Sequence, residues 1–161
     1  MSSAPTIYAV RWQIAAMGSE HFEVGVFRPA SPGSEARMLL RTWDGETLLH
    51  SILWLRLQNR NGWHICIRPE NEHELSLVDD LTSEAVEAMK GDGHQPSAVV
   101  QTSPGNYQAW LKHGQHLEPK VSMTAARALA EKFGGDNGAA DSRHFGSLQE
   151  WRIASALTRT F

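Results

Sequence analysis

The fold of this chain is decided between residues 97 and 113, SAVVQTSPGNYQAWLKH. Two strand-like runs, 97–102 and 107–113, are separated by Ser103-Pro104-Gly105-Asn106. Proline and glycine inside a four-residue connection are typical of a tight turn between two strands. Because a hairpin joins antiparallel strands without a crossover helix, this stretch predicts an antiparallel sheet.

Single helices alternate with pairs of strand-like segments along the chain around this hairpin. Apolar residues at spacings of three and four predict helices over 6–17, from 44 to about 61, 82–90 and 122–133. Alternating or continuous apolar runs predict strands over 22–27, 37–43, 63–69 and 74–80. The turn at 70–73 is short enough for a second hairpin. Because the regular βαβ order of a doubly wound sheet is absent, we predict an α+β fold with a mixed, mainly antiparallel sheet flanked by helices.

Length and composition bound the class of protein. With 161 residues, 41% of them hydrophobic and 20% charged, the chain has the size and apolar content of one folded domain. No apolar run approaches the roughly 20 residues of a membrane helix, and residues 1–6 lack the basic start and apolar run of a signal peptide. Cys66 is the single cysteine, which excludes an internal disulfide. We therefore expect a cytoplasmic protein without a membrane partner.

An aspartate pair, Asp79-Asp80, ends the apolar run 75–78. Two adjacent carboxylates repel each other, and a hard cation such as Mg²⁺ or Mn²⁺ relieves that repulsion. Successive residues of a regular strand point to opposite faces, so both side chains serve one site only if the strand ends, bulges or twists there. The alternative interpretation is a solvated strand end, or a cap for the helix that starts near Thr82.

Two further segments offer polar groups of the same kind. Asp136 follows Gly134-Gly135 at the end of a predicted helix, where an aspartate is either a further metal ligand or an ordinary turn residue. The segment 102–110 combines hydroxyls, an amide and turn N–H groups, which suit a phosphate as well as an ordinary hairpin. The sequence has no HExxH, GxxxxGKS/T or GxGxxG motif, which argues against a zinc site, a P-loop NTPase and a dinucleotide enzyme.

Four strings occur in a specific order and spacing. They are Ile67-Arg68-Pro69, Leu77-Val78-Asp79-Asp80-Leu81, Thr102-Ser103-Pro104-Gly105-Asn106-Tyr107-Gln108-Ala109-Trp110 and Asp136-Asn137-Gly138-Ala139-Ala140-Asp141-Ser142-Arg143-His144. With these strings the chain resembles the RepB-type plasmid DNA primases, which are similar to the archaeo-eukaryotic primase superfamily. The resemblance covers nearly all of residues 7–148. Its SPGNYQAW and ADSRH strings are specific, whereas the aspartate pair alone is not.

The resemblance implies an RRM-like primase core that makes short primers on a single-stranded DNA template, from nucleoside triphosphates, in plasmid or mobile-element replication. It implies that Asp79, Asp80 and Asp136 are catalytic and hold a divalent metal, Mg²⁺ or Mn²⁺. The same match implies contacts to nucleotide or phosphate from Arg68, Ser103, Asn106, Arg143 and His144. A helicase, a relaxase or a separate helical domain are the further partners that it implies.

Two features depart from the family and the superfamily. The second superfamily motif carries a histidine where this chain has Asn106, and the family pattern is lost after Leu148. We therefore expect a primase-like domain over 1–148 and a divergent tail over 149–161. Apolar spacing in the tail predicts a short, marginal helix whose deletion costs on the order of 1 kcal/mol or less. The alternative function is a non-catalytic module of the same fold that binds single-stranded DNA or assists replication or conjugation.

The net charge of −3 excludes a histone-like affinity for nucleic acid, but it allows a local basic path, because binding follows the distribution of charge. Basic residues close to the motifs in sequence are candidates for such a path. They are Arg68, Lys112, Arg127, Arg143 and Arg152.

Overall fold

The structure, a computed structural model, describes residues 4–139 and 145–148. The helices are α1 (Ala4–Met17), α2 (Gly45–His50), α3 (Ile52–Arg60), α4 (Ser83–Gly91) and α5 (Pro119–Phe133), with a 3₁₀ helix at Asn137–Ala139. The strands are β1 (His21–Arg28), β2 (Arg37–Asp44), β3 (His64–Pro69), β4 (Leu75–Leu81), β5 (Pro96–Ser103), β6 (Asn106–Lys112) and β7 (Gly146–Ser147). None of these helices is long and apolar enough to cross a membrane. The tail 149–161 lies outside the described residues.

The strands form two antiparallel sheets, in the orders β2-β1-β3-β7 and β4-β6-β5. This confirms the α+β class with mainly antiparallel pairing, although the strands divide between two sheets. The hairpin predicted over 97–113 is β5–β6, with Gly105 in its turn at φ +81°. The second predicted hairpin, at 70–73, is wrong. Both edges of β3 are occupied by β1 and β7, so β4 pairs with β6 instead.

The sheet β4-β6-β5 lies between two hydrophobic clusters. On one face, Leu75, Leu77 and Trp110 join the core that α1, α2, α3 and the first sheet share. On the other face, Val78 and Leu81 pack with apolar residues of α4 and α5. Each large apolar side chain buried in this way contributes about 1.5–3 kcal/mol relative to exposure. The β4-β6 pair is therefore held from both sides.

The single helix predicted from Asp44 to about residue 61 is divided at Ser51. Asp44 caps its start as expected, because its Oδ1 accepts a hydrogen bond of 2.7 Å from Thr47 N. The Ser51 amide is shared between the carbonyls of Thr47 and Leu48, at 3.0 and 3.1 Å. Sharing of one donor in this way tightens the last turn of α2 before α3 begins.

Strand β7 links the two sheets through the backbone of a single residue, Ser147. Ser147 N donates to Gln108 Oε1 of β6 at 2.7 Å, and Ser147 O accepts from Gln13 Nε2 of α1 at 3.1 Å. Both glutamines are buried, so these bonds satisfy polar groups that would otherwise be costly inside the core. The two-residue strand is thereby held to β3, β6 and α1 together.

The His113 ring, just after β6, makes the stability of the folded domain depend on pH. Its Nε2 lies 2.8 Å from Ser76 Oγ, and burial lowers the pKa of His113 while Glu74 acts in the opposite direction. The unfolded chain therefore takes up the proton first. The contribution of neutral His113 to the free energy of unfolding is then fully present above about pH 6.5, and it is lost as the pH falls below that value. Melting temperatures from about pH 8 to pH 5 should show this decline.

The variant His113→Gln tests that assignment, because it keeps a hydrogen-bonding group beside Ser76 but does not titrate. We expect its melting temperature to fall less steeply between about pH 6.5 and pH 5 than that of the wild type. Equal slopes in the two proteins would assign the decline to other groups.

Candidate functional site

Asp79 and Asp80 form a β-bulge at the end of β4. The two aspartates lie opposite one residue of β6, Gln108, and the register shifts between Val78 and Leu81. An extra residue re-phases the alternation of side chains, which explains why Val78 and Leu81 both pack in the same cluster although they are three residues apart. The strand is therefore not regular here, and the condition that the sequence set for a shared aspartate site is met.

The backbone of Asp80 adopts a left-handed conformation, with φ +59°. Its amide donates to Asp79 Oδ1, and its own Oδ1 accepts from Asn106 Nδ2, both at 2.7 Å. A non-glycine residue in this region is uncommon and costs on the order of 1–3 kcal/mol. Such residues cluster at functional sites, so the outlier favours a functional role for this bulge.

Asp136 is brought to the bulge by the end of α5. Gly134 ends the helix at φ +74°, and Gly135 N donates to Ala130 O at 2.8 Å, as in a Schellman cap. Asp136 N then donates to Asp79 O at 3.0 Å. The backbone of the 136 loop is thereby hydrogen-bonded directly to the bulged strand.

The three aspartates offer the donor chemistry of a hard-cation site. One oxygen of each carboxylate already accepts a protein N–H, from Asp80 N, Asn106 Nδ2 and Gly138 N. Within residues 4–139 and 145–148, no three His, Cys, Asp or Glu side chains are gathered tightly enough to hold a metal ion. Carboxylate oxygens are the ligands that Mg²⁺ and Mn²⁺ prefer, and the backbones that carry these three aspartates are in contact. Convergence of the three carboxylates on one point stays a prediction.

The turn of the β5–β6 hairpin lies next to the bulge. Ser103 and Asn106 are the closing pair of that turn, and Ser103 is exposed. The side-chain amide of Asn106 donates a hydrogen bond to the carboxylate of Asp80. The hairpin motif and the aspartate pair, which are distant in sequence, are thus adjacent in the fold.

Arg68 lies on β3, in the other sheet. Its guanidinium forms an ion pair with Glu23 and lies 4.3 Å from the ring centroid of Phe145. These contacts hold the side chain beside β7. The predicted contact of Arg68 with a phosphate stays a prediction. Arg143 and His144 lie outside the described residues.

The predicted basic path is wrong for Lys112. That residue pairs with Leu75 at the start of β4, and its Nζ lies 3.5 Å from Glu74. Four residues of strand, about 13 Å, separate this end of β4 from Asp79. Arg127 is exposed on α5, while Arg143 and Arg152 lie outside the described residues.

A cleft of about 410 Å³ opens at the same end of β4 as Lys112. The α1–β1 turn and the β3–β4 turn supply most of its lining, and most of the lining residues are glutamates and histidines. It is separate from the aspartate bulge, because it lies at the opposite end of the strand.

Comparison with known proteins identifies the family of this chain. The RepB DNA-primase N-terminal domain family matches residues 33–148. The chain is 39% identical to Mobilization protein A of Escherichia coli over 150 residues, which is 92% of this chain and 21% of that protein. It is 30% identical to a DNA primase of Acidithiobacillus ferrooxidans over 132 residues, which is 74% of this chain and 37% of that protein. The chain thus spans about a fifth and about a third of these two relatives.

Two solved structures share the fold. Primase RepB′ superposes with a TM-score of 0.82 at 38% identity, covering 89% of this chain and 49% of that one. The catalytic domain of primase RepB′, in complex with initiator DNA, superposes with a TM-score of 0.81 at 40% identity, covering 89% and 75%. By the matched domain and by these relatives, the chain belongs to the RepB DNA-primase N-terminal domain family.

Proposed function

We propose that this chain is a DNA primase domain that makes short primers on single-stranded DNA in plasmid or mobile-element replication. The observation that carries the proposal is the β4 bulge, which presents Asp79 and Asp80 beside the backbone of Asp136. The family membership and the names of the relatives supply the reaction class.

The proposed reaction is nucleotidyl transfer. A primer 3′-hydroxyl attacks the α-phosphate of an incoming nucleoside triphosphate, and pyrophosphate leaves. Asp79, Asp80 and Asp136 would hold Mg²⁺ or Mn²⁺, which when bound supplies activation of the hydroxyl and neutralisation of the leaving charge. Asn106 orients Asp80 by donating to its Oδ1. Ser103 is exposed in the adjacent turn, and its hydroxyl would donate a hydrogen bond to a phosphate oxygen.

The proposed partners follow from the same site. A relative's catalytic domain was crystallised with initiator DNA, and a primase needs a template strand and nucleoside triphosphates. A helicase, a relaxase or a separate helical domain is proposed as a further partner that engages the template. Binding of single strands is expected to weaken steeply with salt, because phosphate contacts release counterions.

A second candidate is a DNA-binding module of the same fold that does not catalyse. The observation in its favour is that the aspartate carboxylates are not already gathered into a ligand set among the described residues. Such a module would bind single strands by stacking and charge without forming a product.

Primer synthesis on a single-stranded template separates the two candidates. The purified chain is incubated with labelled nucleotides and with Mg²⁺, Mn²⁺ or EDTA, and products are resolved by length. We expect metal-dependent short products. Binding of the template without product under every metal condition would support the non-catalytic module.

Asn106→Ala tests how the hairpin serves this site. Loss of the amide that orients Asp80 is expected to lower activity about 10–100-fold, as for other residues that orient metal ligands. The metal concentration needed for half-maximal activity should rise. Asn61→Ala, at the exposed end of α3, is the control and should behave as the wild type. A raised KM for nucleotide with unchanged metal dependence would instead favour direct phosphate binding.

A further inference from the structure

We propose that Gly135 is a positioning residue of the aspartate site. By lacking a side chain, it lets the end of α5 touch the backbone of the β4 bulge, and this contact places Asp136. The inference rests on the proposed function, because it assigns the residue a role in that site.

The conformation of the α5 terminus does not explain this glycine. The left-handed residue of the cap is Gly134, at φ +74°, whereas Gly135 is not among the residues with positive φ. The amide of Gly135 donates to Ala130 O at 2.8 Å, and any residue except proline supplies that donor. The helix could therefore end in the same way with alanine at position 135.

Space is what requires a glycine at position 135. A Cβ built there would lie 2.7 Å from Asp79 O and 2.9 Å from Val78 Cγ1. Neither neighbour can move cheaply. Asp79 O already accepts the hydrogen bond from Asp136 N, and Val78 is 1% exposed in a packed cluster. An added methyl group would thus push the loop away from the strand.

The residue displaced by such a shift is Asp136. Its amide bond to Asp79 O, 3.0 Å long, is the first contact after Gly135, so the methyl group acts directly on it. A misplacement of about 1 Å at a reacting centre costs about 100-fold in rate. Gly135 therefore sets the separation between the strand that carries two aspartates and the loop that carries the third.

The test compares Gly135→Ala with Gly91→Ala. A Cβ at Gly91, at the end of α4, meets nothing within 4 Å. The first readout is amide hydrogen exchange at Asp136 in metal-free protein, which reports the bond to Asp79. The second is Mn²⁺ affinity by calorimetry, with Asp79→Asn identifying the site. The third is primer synthesis.

For Gly135→Ala we expect a native circular-dichroism spectrum, faster exchange at Asp136, Mn²⁺ binding weakened about 10–100-fold and primer synthesis lowered about 100-fold. Gly91→Ala should match the wild type in all three. Wild-type exchange and Mn²⁺ affinity in Gly135→Ala would overturn the role of Gly135. Absence of Asp79-dependent Mn²⁺ binding in the wild type would instead refute the proposed function.

If Gly135→Ala does not fold, the same contact is tested from the strand. Val78→Ala keeps the glycine and removes both γ-methyl groups, including the Cγ1 that lies next to position 135. Val86→Ala is a matched deletion in the same cluster, on α4. Faster exchange at Asp136 in Val78→Ala alone supports the inference. Equal exchange in the two variants overturns it.

Discussion

Asp79→Asn is expected to lower primer synthesis at least about 1000-fold, since a metal ligand supplies several kcal/mol of transition-state stabilisation and each 1.4 kcal/mol is tenfold in rate. Asparagine keeps the size of the side chain but removes the anionic oxygen. Asp136→Asn should have the same effect, because it removes an anionic oxygen from the third proposed metal ligand while the backbone bond from Asp136 N to Asp79 O is kept. Initial rates of primer formation at saturating template and Mn²⁺ measure the loss.

The fold of these variants should remain intact. Asp79 and Asp80 are adjacent like charges, so neutralising one of them is expected to leave the melting temperature in metal-free buffer unchanged or higher. Glu35→Gln, which removes the same charge at an exposed position, is the control and should keep full activity. Primer synthesis within about tenfold of wild type in Asp79→Asn and Asp136→Asn would contradict the metal role.

Trp110→Ala is expected to destabilise the domain by about 3–5 kcal/mol, the usual cost of truncating a buried Trp or Phe. Trp110 is 1% exposed, and a Cβ at Gly146 of β7 would lie 2.5 Å from its ring. The side chain therefore fills the space between the two sheets. Small domains are stable by only about 5–15 kcal/mol, so this loss would be a large fraction of the free energy of unfolding. Urea unfolding measures the change.

Trp12→Ala is the matched control, since Trp12 is 70% exposed on α1. Its cost should stay within about 0.5 kcal/mol, as for most surface changes. A similar loss of unfolding free energy in the two variants would show that Trp110 does not hold the sheets together.

The secondary structure elements were predictable because their signals are local. The apolar spacing of α1 and α5 and the Pro-Gly turn of β5–β6 each depend on a few neighbouring residues. The family was predictable because four strings keep their order along the chain, and the match to residues 33–148 confirms it. Strand β7 was missed, since two residues carry no periodicity.

Beyond the β5–β6 hairpin, which strands pair was not predictable, because pairing depends on contacts between residues that are distant in sequence. The short 70–73 turn suggested a hairpin, yet β3 is enclosed by β1 and β7 while β4 pairs with β6. For the same reason no individual role could be assigned to Gln108 from the sequence, because that role depends on a hydrogen bond to Ser147, 39 residues away. The ion pair of Arg68 with Glu23 likewise joins residues 45 apart.

The sequence by itself determined most of the elements, the family and the identity of the candidate aspartates. Only the tertiary structure decided that Asp79 and Asp80 lie in a bulge, because a bulge exists only relative to the partner strand, here at Gln108 of β6. It also decided that Asp136 meets this strand, since the glycine before it leaves room for a backbone contact that no side chain would allow. Local patterns of residue type can be read from the sequence, whereas the register of paired strands and the close approach of two backbones arise only when distant segments pack.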